Sequence, residues 1–505
     1  MKTKKIRLKN VEELVKQKKK ERTPSAQHSS LTVSSLKDLF QKNKDVQFTE
    51  LAFNDDPITL VYCSGLVHAD LLKSTIPKRL EKFFAVHNGA TKENIHSLHV
   101  PSLQIVTEKE KAAEDIFSGM LLIVFPADKL VVSVDIADRP QRKPEETNTE
   151  VSIKGPRDNF IEDITINHAL IRKRLRTVSL ASESFEVGRR SKTKVLVLYM
   201  DDISDKATLE QIRQQIEKID IDALVSGTQL GELMNDDPYA FFPRHSYTGR
   251  PDFAVQSLLQ GRFIILIDGV AYAYITPVNL FFLLKSAEDM EYPYAFNSFE
   301  RLLRVAGISI ATFLPGFWVA LTSFHQNQLP LTLLATVVES RSGVPFPTAL
   351  EAILMMLLFE LFREAGLRMP LAIGQTLSVV GGLIIGDAAI RAGLTSPSML
   401  VVIAGSFVAM TTLVNQSFIG VISLLRFFVI ILVALFGFFG FFAAIFLIGI
   451  YAARIRTFGV PYLELATRLS WKNILKAMMR LPAQKDDKRA SMLDPIDATK
   501  KDGRR

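Results

Sequence analysis

One cysteine, Cys63, is all that the 505 residues contain. No disulfide can therefore form within the chain, and the soluble part is expected in a reducing compartment. No apolar stretch follows the lysine-rich start Met1–Arg22, so this start reads as a solvated or membrane-touching tail and not as a secretory signal. Catalytic signatures are missing as well. The chain has no GxxxxGK[ST] phosphate loop, no HExxH, no GxSxG and no CxxC. No enzyme activity is expected, and no catalytic, cofactor-binding or metal-ligating residue. The basic runs come without a nucleic-acid recognition motif, so no nucleic-acid partner is expected. Charge itself is absent from three long runs, Val305–Phe324, Ala392–Leu425 and Phe427–Ala453.

Those runs define the class. About 20 apolar residues in helical form cross a bilayer core, and only a helix satisfies its own peptide groups there. The net charge is +8, and the excess sits in a basic tail (454–505) that begins at Arg454. Such a tail marks the cytoplasmic side and can lie on anionic membrane lipid. The expected fold class is an α/β soluble N-terminal region of two related subdomains followed by an all-α polytopic membrane domain.

The two subdomains are read from a repeated pattern. Leu60–Leu66 and Phe117–Phe125 in the first half match Val197–Ile203 and Leu259–Ile267 in the second. Each pair is a β-branched apolar run with a glycine, Gly119 or Gly261, ahead of a hairpin; chance similarity of short strands is the alternative. The expected order is a basic tail (1–35), a subdomain (36–137), a Pro- and charge-rich linker (138–149) and a second subdomain (150–300). Phe160–Leu175 is expected to be an amphipathic helix packed on a sheet or used for docking, with His168 a packed or half-exposed residue on it.

Within the membrane domain (301–453), spans are expected at about 305–324, 370–390, 396–415 and 427–453. Glu351, Glu360, Arg363, Glu364 and Arg368 interrupt the stretch 331–369, which is expected to be re-entrant or interfacial because ionisable groups are costly at mid-bilayer. Four spans return the basic tail to the side of the N-terminus. Pro315 and Gly316 predict a kink in the first span. Gly374, Ser378, Gly382 and Gly386 form a small-residue ridge that lets helices approach. Gln375, Asp387, Thr412, Asn415 and Gln416 are candidates for a polar pore-lining or gating face, and Glu351 for a pore mouth; tight packing and a water-facing acid are the competing readings. The phenylalanine-rich 427–453 segment is expected to face lipid.

Several words in the chain resemble the GerA spore germination family. They include Gly155-Pro156-Arg157, Phe160–Asp163, Asn167, Leu170-Ile171-Arg172, Ser191–Val195, Gly249–Asp252, Gly261-Arg262, Asp268-Gly269, Pro345-Phe346-Pro347, Phe359–Pro370, Gly374–Thr376 and Ser378–Gly382. The chain departs from the family pattern at Gly249, Asp387 and Asn415. The resemblance implies an A-type germinant-receptor subunit in the inner spore membrane, with both termini cytoplasmic. It also implies partners: a transporter-like B subunit, a lipoprotein C subunit and further copies of the chain. On this view the subunit couples nutrient sensing to ion release, as an oligomeric channel or as a non-conducting scaffold that docks partners.

Overall fold

Strand order is repeated along the chain, and it shows the relation between the two halves of the soluble region. The computed structural model describes residues 31–138, 154–367, 386–463 and 479–500, apart from single positions 54, 55, 88, 236, 238 and 483. The chain forms two compact units, Met1–Arg139 with Arg176–Val178, and Pro140–Leu175 with Ser179–Arg505.

In the first unit, helix α1 (Val33–Leu39) starts on Thr32, whose side chain and that of Ser35 cap each other's backbone. Strands β1 (Val46–Phe53), β2 (Asp56–Cys63), β3 (Gln104–Ile105), β4 (Met120–Phe125) and β5 (Leu130–Asp135) form one sheet in the order β1-β2-β4-β5-β3. All its pairings are antiparallel. Helix α2 (Ile76–Val86) lays Leu80, Phe83 and Phe84 against Ile58, Leu121, Ile123 and Val132 of the sheet. Helix α3 (Lys109–Phe117) ends two residues before Gly119, whose φ of 89° suits glycine; a Cβ there would meet the Leu66 carbonyl at 2.6 Å.

The second unit repeats the plan. Strands β6 (Leu180–Val187), β7 (Thr193–Met200), β8 (Ser246–Thr248), β9 (Phe263–Ile267) and β10 (Ala273–Thr276) follow the order β6-β7-β9-β10-β8, again antiparallel. Gly261 takes a φ of 93° after helix α7 (Pro251–Leu259), as Gly119 does after α3. The expected pair of related α/β subdomains is present. Helices α4 (Ile164–Arg174), α5 (Lys206–Glu217), α6 (Gly227–Leu233) and α8 (Leu280–Leu283) complete this part.

One local expectation is corrected. Helix α4 is shorter than the expected 160–175, and it is not amphipathic: Asn167, His168, Ala169, Leu170, Ile171 and Arg172 are all buried. Its polar groups find partners inside the fold. Arg172 donates to the Leu180 carbonyl at 3.1 Å, and Asn167 takes the Ile161 N–H at 2.8 Å. Burial of hydrogen-bonded polar groups is what the periodicity of hydrophobic residues does not reveal.

Beyond the sheet come α9 (Tyr294–Phe324), α10 (Leu331–Ser340), α11 (Thr348–Leu367), a short helical stretch at 386–391, α12 (Pro397–Thr411) and α13 (Gln416–Arg454). Helices α9 and α13 are long and apolar enough to cross a membrane. Helix α9 runs unbroken through the buried Pro315. Gly316 lets α13 close in, since a Cβ there would meet Val429 Cγ1 at 2.6 Å.

Helix α13 is not one rod. Gly437 (φ 58°, ψ −137°) breaks it, and the chain doubles back. Phe242 has its ring 6.2 Å from that of Phe418 and 5.7 Å from that of Tyr451. A straight helix would hold those two residues about 50 Å apart. The single span expected at 427–453 is therefore corrected to an antiparallel hairpin with arms 416–436 and 438–454. Glycine alone adopts this φ/ψ without strain. Along the hairpin, Phe436, Phe439, Phe442 and Phe446 are exposed, while Phe441 packs on Phe313 and Phe317 of α9.

Candidate functional site

The bundle's register follows from its close contacts. Gly307 of α9 lies against Thr412 at the end of α12, Gly316 against Val429, and Phe324 against Gly437. The first arm of α13 thus runs alongside α9 in the same direction, and α12 runs opposite to both. Helix α11 starts beside Thr395 and Ser396, at the end of the bundle far from the sheet, and descends toward Ser423.

Two acids sit inside this apolar framework. Glu351 is fully buried and caps α12: its Oε1 accepts from the Ser396 N–H at 2.6 Å, Ser396 Oγ at 2.7 Å and Thr395 Oγ1 at 3.0 Å. A carboxylate suits the positive end of a helix. The Arg341 guanidinium stands 3.8 Å from the other carboxylate oxygen, Oε2, and also binds Thr348 Oγ1.

Glu360, nine residues further along α11, is the hub of a second cluster. It pairs with Arg363, accepts from Ser423 Oγ at 3.2 Å, and lies 3.6 Å from Arg426 Nη2. Arg426 is 0% exposed, and none of its three guanidinium nitrogens has a hydrogen-bond acceptor among the described residues. Two guanidinium groups thus share one carboxylate among Met410, Ser423 and apolar neighbours. A charge held this way in a bilayer bundle is costly.

The other sequence candidates are placed as follows. Asp387 pairs with Arg391 at 2.8 Å on an exposed face. Thr412 ends α12 and donates to the Ala409 carbonyl at 2.7 Å. Asn415 caps α13, accepting from the Phe418 N–H at 3.2 Å, and donates to Ser246 Oγ of β8 at 3.1 Å. Gln416 is the first residue of α13. Gly386 opens the stretch 386–391 and faces Leu400. Gly374, Gln375, Ser378 and Gly382 lie outside the described residues. The described candidates do not form one polar face: Glu351 is at the far end, while Thr412 and Asn415 are at the sheet end. Sequence reasoning passed over the cluster that does form, Glu360–Arg363–Arg426. Its only signal was a Glu-x-x-Arg pair on α11 and a lone arginine between two charge-free runs.

The bundle is tied to the sheet by more than Asn415. Tyr451 Oη accepts the Phe241 N–H at 3.0 Å, the Leu280 N–H donates to the Tyr462 carbonyl at 3.0 Å, and Phe242 packs on Tyr462. Next to Ser246 lies His245, buried, with Nδ1 3.0 Å from Thr276 Oγ1. Burial, and then the Arg244 charge, push its pKa down to about 4. The folded imidazole stays neutral where an unfolded one, near 6.5, takes a proton. Stability is therefore full above about pH 6.5 and falls as the pH drops toward 4, by about 3 kcal/mol over that window. Denaturation followed from pH 7 to 4 should show this slope in the wild type and lose it in His245→Gln.

The family words of the sequence are structural here. Asp163 caps α4 through the N–H groups of Thr165 (2.7 Å) and Ile166 (3.1 Å). Arg250 grips Asp252 with two bonds, at 3.1 and 2.7 Å, and Gly155 packs against its guanidinium. The Gly269 N–H donates to the Glu162 carbonyl at 2.8 Å.

The second antiparallel α/β subdomain, hydrogen-bonded to an apolar helix bundle that holds ion pairs, is the pattern of a membrane protein with a soluble part joined to its helices. The sequence profile of the Bacillus/Clostridium GerA spore germination protein family matches residues 34–492, and the chain belongs to that family. It is an A-type subunit of the spore germination receptor class, not an enzyme. Spore germination protein XA of Bacillus anthracis is 44% identical over 476 residues, covering 92% of this chain and 96% of that one. The uncharacterized membrane protein YfkQ of Bacillus subtilis (strain 168) is 33% identical over 369 residues, covering 73% and 72%. The crystal structure of the N-terminal domain of the A subunit of the Bacillus megaterium spore germinant receptor GerK3 is 24% identical, covers 48% of this chain and 92% of that one, and superposes with a TM-score of 0.37.

Proposed function

We propose that this subunit couples nutrient sensing to ion release across the inner spore membrane, its helix bundle forming part of an oligomeric, nutrient-gated conduit. The observation that carries the reading is the Glu360–Arg363–Arg426 cluster. Ionisable groups inside a membrane bundle are retained where ions or conformational changes pass. This cluster is connected through α13 to Asn415 and thence to β8, so a movement of the sheet has a route into the bundle. Helices α9 and α12 and the two arms of α13 carry the chain out, in, out and in, and α11 enters from the far side. The N-terminal region and the basic tail then share the cytoplasmic face. The partners on this reading are a transporter-like B subunit, a lipoprotein C subunit and further copies of the chain.

Ion flux from liposomes carrying the purified protein, alone and with the B and C subunits, tests the proposal. Nutrient-dependent flux that Arg426→Gln abolishes or renders constitutive is the expected result. A flat trace from folded, correctly assembled receptor would overturn it in favour of the non-conducting scaffold.

A further inference from the structure

Between α6 and β8 the chain makes a turn that leaves two aromatic side chains in the open. Tyr239 is 84% and Phe241 62% exposed. Asp237 closes the turn: its carbonyl accepts the Ala240 N–H at 3.3 Å, and its carboxylate accepts the Tyr239 N–H at 3.0 Å. From Pro238 to Pro243 the sequence Pro-Tyr-Ala-Phe-Phe-Pro carries no charge. Single exposed apolar side chains are ordinary; the depth of these two sets them apart.

The helices beside the turn give that depth. Phe441, on the returning arm of α13, packs on Phe313 and Phe317 of α9. From Phe441 to Tyr451 the arm descends toward the sheet by about 15 Å. The same length of α9, counted down from the middle of the Phe313–Phe317 contact, ends at Val305, where its charge-free run begins. Tyr451 therefore stands at the edge of the bilayer core. Phe241 is held at this level, since its N–H donates to Tyr451 Oη at 3.0 Å and its ring lies 6.1 Å from the Tyr451 ring. Leu447, Tyr451 and Arg454 follow one another at four and three residues along one line of the arm. Leu447 and Arg454 are exposed, and Arg454 is the first charge after the run Phe427–Ala453. This line passes from acyl chain to headgroup at Tyr451, the level at which aromatic side chains settle in a membrane.

We propose that the turn 239–241 anchors the second subdomain in the membrane interface, with Tyr239 and Phe241 inserted beside Tyr451 into the leaflet on the sheet side. The partner is the phospholipid surface itself. Phe242, next in the chain, packs on Phe418 and Tyr451, so the anchor joins the leaflet to both arms of α13. It rests on the membrane placement of α9 and α13 and not on ion conduction, so a flat conductance trace leaves it standing.

The test places a nitroxide at Tyr239→Cys in the full chain, with the buried Cys63 changed to Ser. The chain is held in vesicles of phosphatidylcholine and phosphatidylglycerol at a low ratio of protein to lipid. Electron paramagnetic resonance compares collisions with oxygen, which concentrates in lipid, and with a water-soluble nickel chelate. Oxygen should collide more often than the chelate, at a depth shallower than that of a label at Leu447→Cys. Adding Phe241→Asp should raise the chelate collisions severalfold, because a carboxylate draws the turn into water. Unchanged melting shows that each variant is folded. Chelate-dominated collisions at Tyr239→Cys would put the turn in water and overturn the proposal. Protection from both probes would show a second copy of the chain covering the turn and would overturn it equally, as would a chelate reading that Phe241→Asp leaves unmoved.

Discussion

Glu360→Leu is expected to destabilise the membrane bundle by roughly 3–5 kcal/mol, the cost of leaving a buried charge without its partner. The reason lies with Arg426. Its guanidinium is fully buried, and among the described residues it has no hydrogen bond and Glu360 is its one ion-pair partner, at 3.6 Å. Removing the acid also leaves Arg363 and the Ser423 hydroxyl without the carboxylate that they share. The double variant Glu360→Leu/Arg426→Met should recover most of the loss, because two apolar side chains of similar volume pack where two desolvated charges stood. Unfolding of the purified chain in mixed micelles by increasing SDS measures all four corners of the cycle. Additive effects of the single changes would show that the two side chains do not interact. Recovered stability combined with lost nutrient response would place the cluster's value in function and not in folding.

Gly437→Ala is expected to destabilise the bundle by roughly 1–3 kcal/mol from backbone strain alone. The added Cβ would also stand 3.0–3.2 Å from the Phe324 side chain, which has to give way slightly. The reversal itself can be measured by electron–electron distances between labels at Leu424 and Ile445, both exposed. A continuous helix would separate those backbone positions by about 32 Å, whereas the hairpin brings them to a much shorter distance. A distance near the longer value in the wild type would refute the hairpin. In Gly437→Ala the expected result is a broadened distribution with faster proteolysis near the turn.

How far the site was legible depended on the kind of signal. The long charge-free runs announced helices in lipid, since the need to satisfy peptide groups internally depends on composition and length alone. The helix-capping roles of Asp163 and Asn415 lay within reach of the sequence too, because a cap is decided over three or four residues. The Glu360–Arg426 pair was not legible: its members lie on different helices, far apart along the chain, and nothing local aligns α11 with the first arm of α13. Glu351 stood out as an acid in an apolar stretch, yet only the approach of α12's first turn makes it a cap.

By itself, then, the sequence determined the division into a soluble α/β region and an apolar helical one and the asymmetry of charge, both set by composition and short-range periodicity; the doubling of the soluble plan stood beside chance similarity until the equal strand orders decided it. The tertiary structure decided the rest. The Phe-rich segment reads as a single span because helix propensity and hydropathy are blind to direction; a glycine at a left-handed backbone position, pressed against Phe324, turns it into two arms. Helix α4 reads as amphipathic because burial of hydrogen-bonded arginine and asparagine leaves no periodic trace. Which charges meet inside the bundle is fixed only when the helices pack, because an ion pair depends on separation in space and not along the chain.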